Sequence, residues 1–373
     1  MTTERHPGLA TAEIAGLTLP NRLAVAPMTR ISATPDGRAT ARMAEYYAEF
    51  ASGGFGLVIT EGIYSDTGYA QGYLNQPGLA TAEHAEAWRP VVDRVHAAGG
   101  RLVAQLMHAG ALSQGNPYRA ETAGPSAIRP RGRMMEDYGG QGEWPVPRAM
   151  STADIDAAVR GFAEAAARAR KVGFDGVEVH GANGYLIDQF LTDYTNRRTD
   201  RYGGPVANRA RLAAEVVAAI RAEVGPRFPL GIRLSQTKVN DFSYRWAGGA
   251  CDAETIFTAV AEAGAGYLHI ASEGRDWWQT ALLDGGVTVT GLARRVTGLP
   301  VIANGGMHEL DTAARVLDDG HADLLSLGRG ALANPDLPCR LARGLDLAPF
   351  DPAMLEPMAT LANADGWRHK ATC

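Results

Sequence analysis

Cysteine is scarce in this chain. There are three in 373 residues, Cys251, Cys339 and Cys373, far apart and without a C-x-x-C pair. That spacing argues against a disulfide framework and against a cysteine-ligated zinc or iron–sulfur centre, and it suits a reducing cytoplasm. Long apolar runs are also missing: none approaches the roughly 18 uninterrupted residues that mark a membrane span. The opening "MTTERHPGLATAEIAG" lacks the basic-then-apolar order of a signal peptide. No block of Lys and Arg occurs, and the formal net charge is -5, so nucleic-acid binding has no electrostatic support.

What is present is ordinary globular material, 46% hydrophobic and 21% charged, enough for a large core. Length alone allows two domains, yet α/β barrels with insertions reach this size as one. Short apolar runs recur: "LAVAPM" (23–28), "GLVITEG" (56–62), "RLVAQLMH" (101–108), "GVEVHG" (176–181), "PLGIRLS" (229–235), "YLHIAS" (267–272), "PVIANGG" (300–306) and "LLSLGRG" (324–330). They are continuous rather than alternating, as expected of parallel strands buried on both faces. Between them lie helical patterns such as "DAAVRGFAEAAARARKVG" and "RARLAAEVVAAIRAEVG", each ending in Gly, a helix-stop signal. Eight β-then-α units predict a (β/α)8 TIM barrel, one domain over 1–373.

Two segments break the rhythm. "EIAGLTLPN" precedes the first strand and reads as a hairpin closing the barrel bottom. Residues 113–150, rich in Gly, Pro and Arg, follow strand 3. A loop that long is usually functional or disordered, and at the C-terminal face it would act as a lid.

Active sites of barrels sit where strands end. Gly305-Gly306 after strand 7 and Gly328-Arg329 after strand 8 occupy the two loops that commonly build a phosphate site. Glycines let backbone N–H groups approach phosphate oxygens, and Arg adds a charged fork. The bland alternative is two glycine turns and a surface Arg. "GRGALA" (328–333) also matches a dinucleotide fingerprint, but the chain after it is broken by proline and offers no second strand with an acid.

Arg233, in "GIRLS", is a charge inside an apolar strand, where burial without a partner is costly. It is either half of a structural ion pair or the face of an anionic ring locus. Gln105, in "VAQLM", can read a donor–acceptor edge. In "VHGANGYLIDQFL" an imidazole, an amide and a phenol follow strand 4 within six residues. His180 and Asn183, on a tight turn or first helical turn, can direct two hydrogen bonds at one substrate oxygen. Tyr185 can supply a proton nearby. Any one of the three alone would more often be structural.

At this point the chain resembles the Old Yellow Enzyme family of FMN-dependent ene-reductases. The resemblance runs nearly end to end, through "NRLAVAPMTR" (21–30), "TEG" (60–62), "AQLMHAG" (104–110), "VEVHGANGYLIDQFL" (177–191), "TNRRTDRYGG" (195–204), "NRARLAAEVV" (208–217), "IRLS" (232–235), "VIANGG" (301–306) and "LGRGALANPDLP" (327–338). It implies FMN as cofactor, with NADPH or NADH as reductant and a small electrophilic alkene as substrate. Pro27 and Met28 would press backbone against the flavin, Thr29 would bond its O4 edge, and Gly62 would leave room for the ring. Gln105 would pair with the pyrimidine edge and Arg233 would face N1 and O2. Gly305, Gly306, Gly328 and Arg329 would hold the phosphate. His180 and Asn183 would bind the substrate carbonyl, and Tyr185 would protonate the α-carbon after hydride reaches the β-carbon.

The chain departs from the family pattern in places. Met107 stands two positions after Gln105, where many relatives carry an aromatic residue, and Ala111 follows Gly110 where others have Arg. The exits "SQTKVNDFSYRWAGGA" and "SEGRDWWQTALLDGG" follow no familiar pattern, and Trp277 and Trp278 are either substrate walls or packing. A desaturase or isomerase run on the same flavin, and a non-catalytic flavin or phenol binder, are the alternatives. A barrel aldolase would want a Schiff-base Lys at a strand end, whereas Lys238 lies beyond strand 5 and Lys171 precedes strand 4. A homo-oligomer is compatible with all of this.

Overall fold

Residues 6–272 and 277–372 are described by this computed structural model. Among them, eight parallel strands close into a barrel: β1 Leu23–Val25, β2 Leu57–Ile59, β3 Leu102–Met107, β4 Gly176–Asn183, β5 Leu230–Lys238, β6 Tyr267–Ala271, β7 Val301–Asn304 and β8 Leu324–Leu327. Each pairs with the next, and β8 pairs with β1, so the ring has no open edge. These are the eight runs expected from the sequence. Two extend further than expected. β4 reaches Asn183, and β5 reaches Lys238 past a register shift between Leu234 and Lys238.

Strand alternation sorts the side chains. On β5, Leu230, Ile232 and Leu234 join the large core between strands and helices. On the barrel axis a separate cluster holds Ala24, Leu57, Ile59, Val103, Tyr267, Ile302 and Leu324. The hairpin Ala12–Ile14 and Leu17–Leu19 lays Ile14 and Leu19 against that cluster, closing the barrel bottom as expected.

The outer helices follow from local signals. Ser151 and Asp154 form a capping box at the start of Thr152–Val172, and Gly173 ends it in the left-handed region at φ 101°. Its buried stripe includes Ile155, Phe162, Ala165 and Ala169. Truncating Phe162 to Ala would cost about 3–5 kcal/mol, the usual loss for a buried ring. Arg211–Val224 likewise stops at Gly225.

Residues 113–150 return toward the strand ends rather than away from them. Ala123–Gly124 pairs with Arg148–Ala149. Met134, Met135, Tyr138 and Trp144 pack in one cluster with Tyr73, Met107 and Tyr185. The Tyr138 ring lies 4.8 Å from that of Tyr73.

Candidate active site

The barrel interior changes character above its apolar floor. Glu178 on β4 is buried and accepts hydrogen bonds from Gln105 Nε2 (2.8 Å) and from the Tyr267 hydroxyl (3.2 Å). His269 Nδ1 stands 2.9 Å from Glu178, and His269 Nε2 stands 2.8 Å from Ser326 Oγ. Burial works against ionising Glu178, but the neighbouring His269, Arg233 and Gln105 outweigh it and hold the carboxyl below its usual range. Burial holds His269 below its own usual range, so the ring is neutral and its Nδ1–H donates a hydrogen bond to Glu178.

Above this layer lie Arg233, His180 and Asn304. Arg233 sits opposite His180 on one side and His269 on the other. Its Nη2 donates to Asn304 Oδ1 at 2.9 Å. Burial, then the charge of Arg233, holds His180 well below the ordinary imidazole value, so it too is neutral. His180 Nδ1 is placed to accept from Ala182 N–H at 3.4 Å, which leaves the ring proton on Nε2.

His180 and Asn183 lie on the last turn-ward residues of β4, not on a helical turn. Asn183 bends the chain there, with φ 63°, and Gly184 follows at φ 86°. Asn183 Oδ1 is buried and has no hydrogen-bond partner among the described residues. The amide is nearly symmetric in shape, so a half-turn puts its NH2 at the same place. Tyr185 stacks edge-on against His180, ring centroids 4.9 Å apart. Its hydroxyl is hydrogen-bonded to that of Tyr73, from the loop after β2. The imidazole and phenol therefore meet at the end of β4, with Asn183 between them in the chain and Arg233 beside His180 on β5.

The glycine turns are conformationally required. Gly305 has φ 114°, and a Cβ there would lie 2.4 Å from the Ser272 carbonyl oxygen; Gly306 has φ 68°. A Cβ on Gly62 would meet Met107 Sδ at 2.5 Å. Gly328 starts a short helix, Arg329–Ala333, without a side-chain cap, and Arg329 is exposed. Pro27, Met28 and Thr29 leave β1 half-buried at the same end, with Met28 Sδ 3.5 Å from where a Gly328 Cβ would be.

Sequence reading missed four groups. Glu178 and His269 hide inside apolar-looking strands, and their partners come from distant segments. Tyr73 lies in a loop with no pattern of its own. Lys238 was expected beyond strand 5; it is the last residue of β5, and its ammonium is buried against Asp188 at 2.6 Å. That pairing removes it as a free Schiff-base amine. Trp277 and Trp278 pack on each other and on His321, with Arg315 over Trp278, and Trp277 belongs to the outer core. They are packing residues of the helices around β7 and β8. The rest of the strand-6 exit, 273–276, lies outside the described residues.

The donor set fits a flavin mononucleotide: a buried cation, Arg233, and a buried amide, Gln105, for the ring, and glycine turns at 305 and 306 for one phosphate. A barrel with this site at its C-terminal mouth is that of a flavin-dependent oxidoreductase. The comparisons agree. Residues 12–348 match the NADH:flavin oxidoreductase / NADH oxidase family. The chain is 34% identical over 354 residues to a protein of Leishmania infantum named probable flavin mononucleotide-dependent alkene reductase, covering 91% of each. Morphinone reductase, solved in complex with tetrahydroNAD, superposes with a TM-score of 0.83 at 33% identity over 93% of each chain. The old yellow enzyme homologue from Zymomonas mobilis gives 0.83 at 31%, covering 95% of this chain and 98% of that one. The chain belongs to the NADH:flavin oxidoreductase / NADH oxidase family, and FMN is its cofactor. No helix among the described residues is long and apolar enough to cross a membrane.

Proposed function

We propose that the protein reduces the activated C=C of an enone, enal, maleimide or nitroalkene, with NADH or NADPH as the source of electrons. Bound FMN would supply the hydride chemistry, from the nicotinamide to the alkene β-carbon. The observation that carries this reading is the contact of the His180 and Tyr185 rings at the end of β4, next to a buried, unpartnered Asn183 amide oxygen and to Arg233.

Each residue has a task in this account. His180, kept neutral, donates its Nε2–H to the substrate oxygen, and the Asn183 amide donates a second hydrogen bond. Together they stabilise charge as it develops on that oxygen, in a site from which water is largely excluded. Tyr185 delivers a proton to the α-carbon, and Tyr73 orients its hydroxyl. Arg233 and Gln105 would hold the ring's N1, O2 and pyrimidine edge, Pro27, Met28, Thr29 and Gly62 its other edge and face, and Gly305, Gly306, Gly328 and Arg329 its phosphate.

The unit is one FMN-binding domain over 1–373, with 113–150 as its lid. A homo-oligomer is compatible with this reading. Free, separated cysteines favour the cytoplasm.

The test is anaerobic stopped-flow mixing with NADH and with NADPH, followed by mixing with a cyclic enone. Bleaching of the flavin bands by a nicotinamide, and their return with the enone, is expected. Bleaching without return on any activated alkene would overturn the reading.

A further inference from the structure

Lys238 and Asp188 form an ion pair that no water-facing role explains. Their side chains are 2% and 0% exposed, and Nζ lies 2.6 Å from Oδ1. The ammonium also sits 4.3 Å from the centre of the Tyr244 ring. Beside the pair is a cavity of about 10 Å³, lined in part by Lys238, Gly184, Gln189 and Asn240. That is room for a single water at most. Burying such a pair is a poor way to gain stability, because desolvation offsets most of the attraction. Its position suggests another use.

Lys238 is the register partner of Asn183, residue for residue, at the ends of β5 and β4. Asn183 is held at φ 63°, a conformation uncommon outside glycine that persists only when its surroundings enforce it. Four hydrogen bonds enforce it. Asn183 N–H donates to Ser235 Oγ at 2.9 Å, and Val239 N–H donates to the Asn183 carbonyl at 3.3 Å. Gln189 Nε2 donates to the Gly184 carbonyl at 2.7 Å. Gly184 N–H donates to Asp188 Oδ2 at 2.6 Å, the shortest of the four and the one that engages a charge. Burial pushes the Asp188 carboxyl above its usual range, and Lys238, bonded to its other oxygen, works against that shift. The turn between Asn183 and Tyr185 is thus gripped by a carboxyl group whose other oxygen is held by a lysine from the neighbouring strand.

We propose that Lys238 and Asp188 are positioning residues that fix the Asn183–Gly184–Tyr185 turn, and through it the amide and phenol that receive the substrate oxygen. The pair touches no substrate itself. The proposal rests on the clamp assigned above to His180 and Asn183.

The test uses FMN-loaded protein and 4-hydroxybenzaldehyde, whose phenolate gives a long-wavelength charge-transfer band when it stacks on flavin. Three variants are compared with the parent: Lys238→Met, Lys238→Met with Asp188→Asn, and Phe162→Ala. The last destabilises the fold far from the turn. Lys238→Met should lower the melting temperature and weaken phenol binding about tenfold or more, with FMN retained. Adding Asp188→Asn removes the unpaired carboxylate, so the melting temperature should recover much of its loss while phenol affinity stays at least about fivefold weaker than in the parent. Phe162→Ala should melt earlier and bind phenol as the parent does. If the double variant regains both stability and affinity, or Lys238→Met binds as tightly as the parent, the pair only stabilises and the proposal is overturned. Should Lys238→Met fail to fold, the double variant alone decides. Failure of the underlying clamp reading looks different: the parent gives no band, or keeps it when His180 and Asn183 are both changed to Ala.

Discussion

Arg233 and His180 face each other across adjacent parallel strands, as register partners on β5 and β4. A permanent cation beside a buried imidazole keeps that imidazole unprotonated, and burial acts in the same direction. His180 is therefore a hydrogen-bond donor of fixed state at neutral pH. Phenol affinity should follow the ionisation of the phenol alone, with no second inflection near about 6.5, the ordinary imidazole value. A titration of 4-hydroxybenzaldehyde from about pH 5.5 to 9 checks this. An inflection near 6.5 that vanishes in His180→Asn would contradict it.

The phosphate end makes a graded prediction. Arg329 is exposed, so the phosphate contact proposed for it would be partly screened, and Arg329→Ala should cost toward the low end of about 1.5–3 kcal/mol in FMN affinity. Gly305→Ala should cost more, because its φ of 114° is closed to alanine and the new methyl would collide with the Ser272 carbonyl. Flavin released on dilution, measured by fluorescence, ranks the two. Equal retention in both variants and the parent would remove the phosphate from these loops. Apoprotein melting separates loss of cofactor from loss of fold.

Much of this architecture is legible in the residues, and the exceptions share a cause. The eight strands and the bottom hairpin show because each is a local apolar run between turn signals. The cluster His180, Asn183, Tyr185 shows because it is contiguous. β5 looks finished at Ser235, since "SQTK" is polar; its backbone nevertheless continues, because the end of β4 is there to pair with it. Glu178 reads as a stray acid in "GVEV" until β3 and β6 bring Gln105, Tyr267 and His269 to it. Periodicity says which way a side chain faces, but not what another strand places opposite. Left-handed Asn183 is likewise silent in sequence, since Asn is common in every kind of turn.

Glu61, next to Gly62 and bonded to the backbone after Thr29, offers a test of electrostatics. Burial pushes its carboxyl from 4.5 up to about 7, only partly offset by hydrogen bonds from the Arg30 backbone and the Tyr47 hydroxyl. Between those values the folded protein keeps a proton that the unfolded chain releases. The associated stability is full below about pH 4.5 and is lost as pH rises through about 7, a swing of roughly 3 kcal/mol. Glu61→Gln removes the swing. The melting temperature of Glu61→Gln relative to the parent should therefore climb from pH 5 to pH 8. A constant difference would show that Glu61 ionises normally in the fold.

The central claim is that Tyr185 supplies the proton above the His180–Asn183 clamp. Tyr185→Phe deletes one oxygen and keeps the ring against His180, so fold and FMN content should persist. Stopped-flow absorbance of both half-reactions, in parent and variant, measures the rest. Reduction by the nicotinamide needs no proton from this group and should stay within a few-fold. Reoxidation by a cyclic enone should slow by about 10²–10⁴, the usual contribution of a general acid. Nitroalkenes should be affected less, because a nitronate can leave unprotonated. Enone reoxidation as fast in Tyr185→Phe as in the parent would contradict the account and assign the proton to another donor.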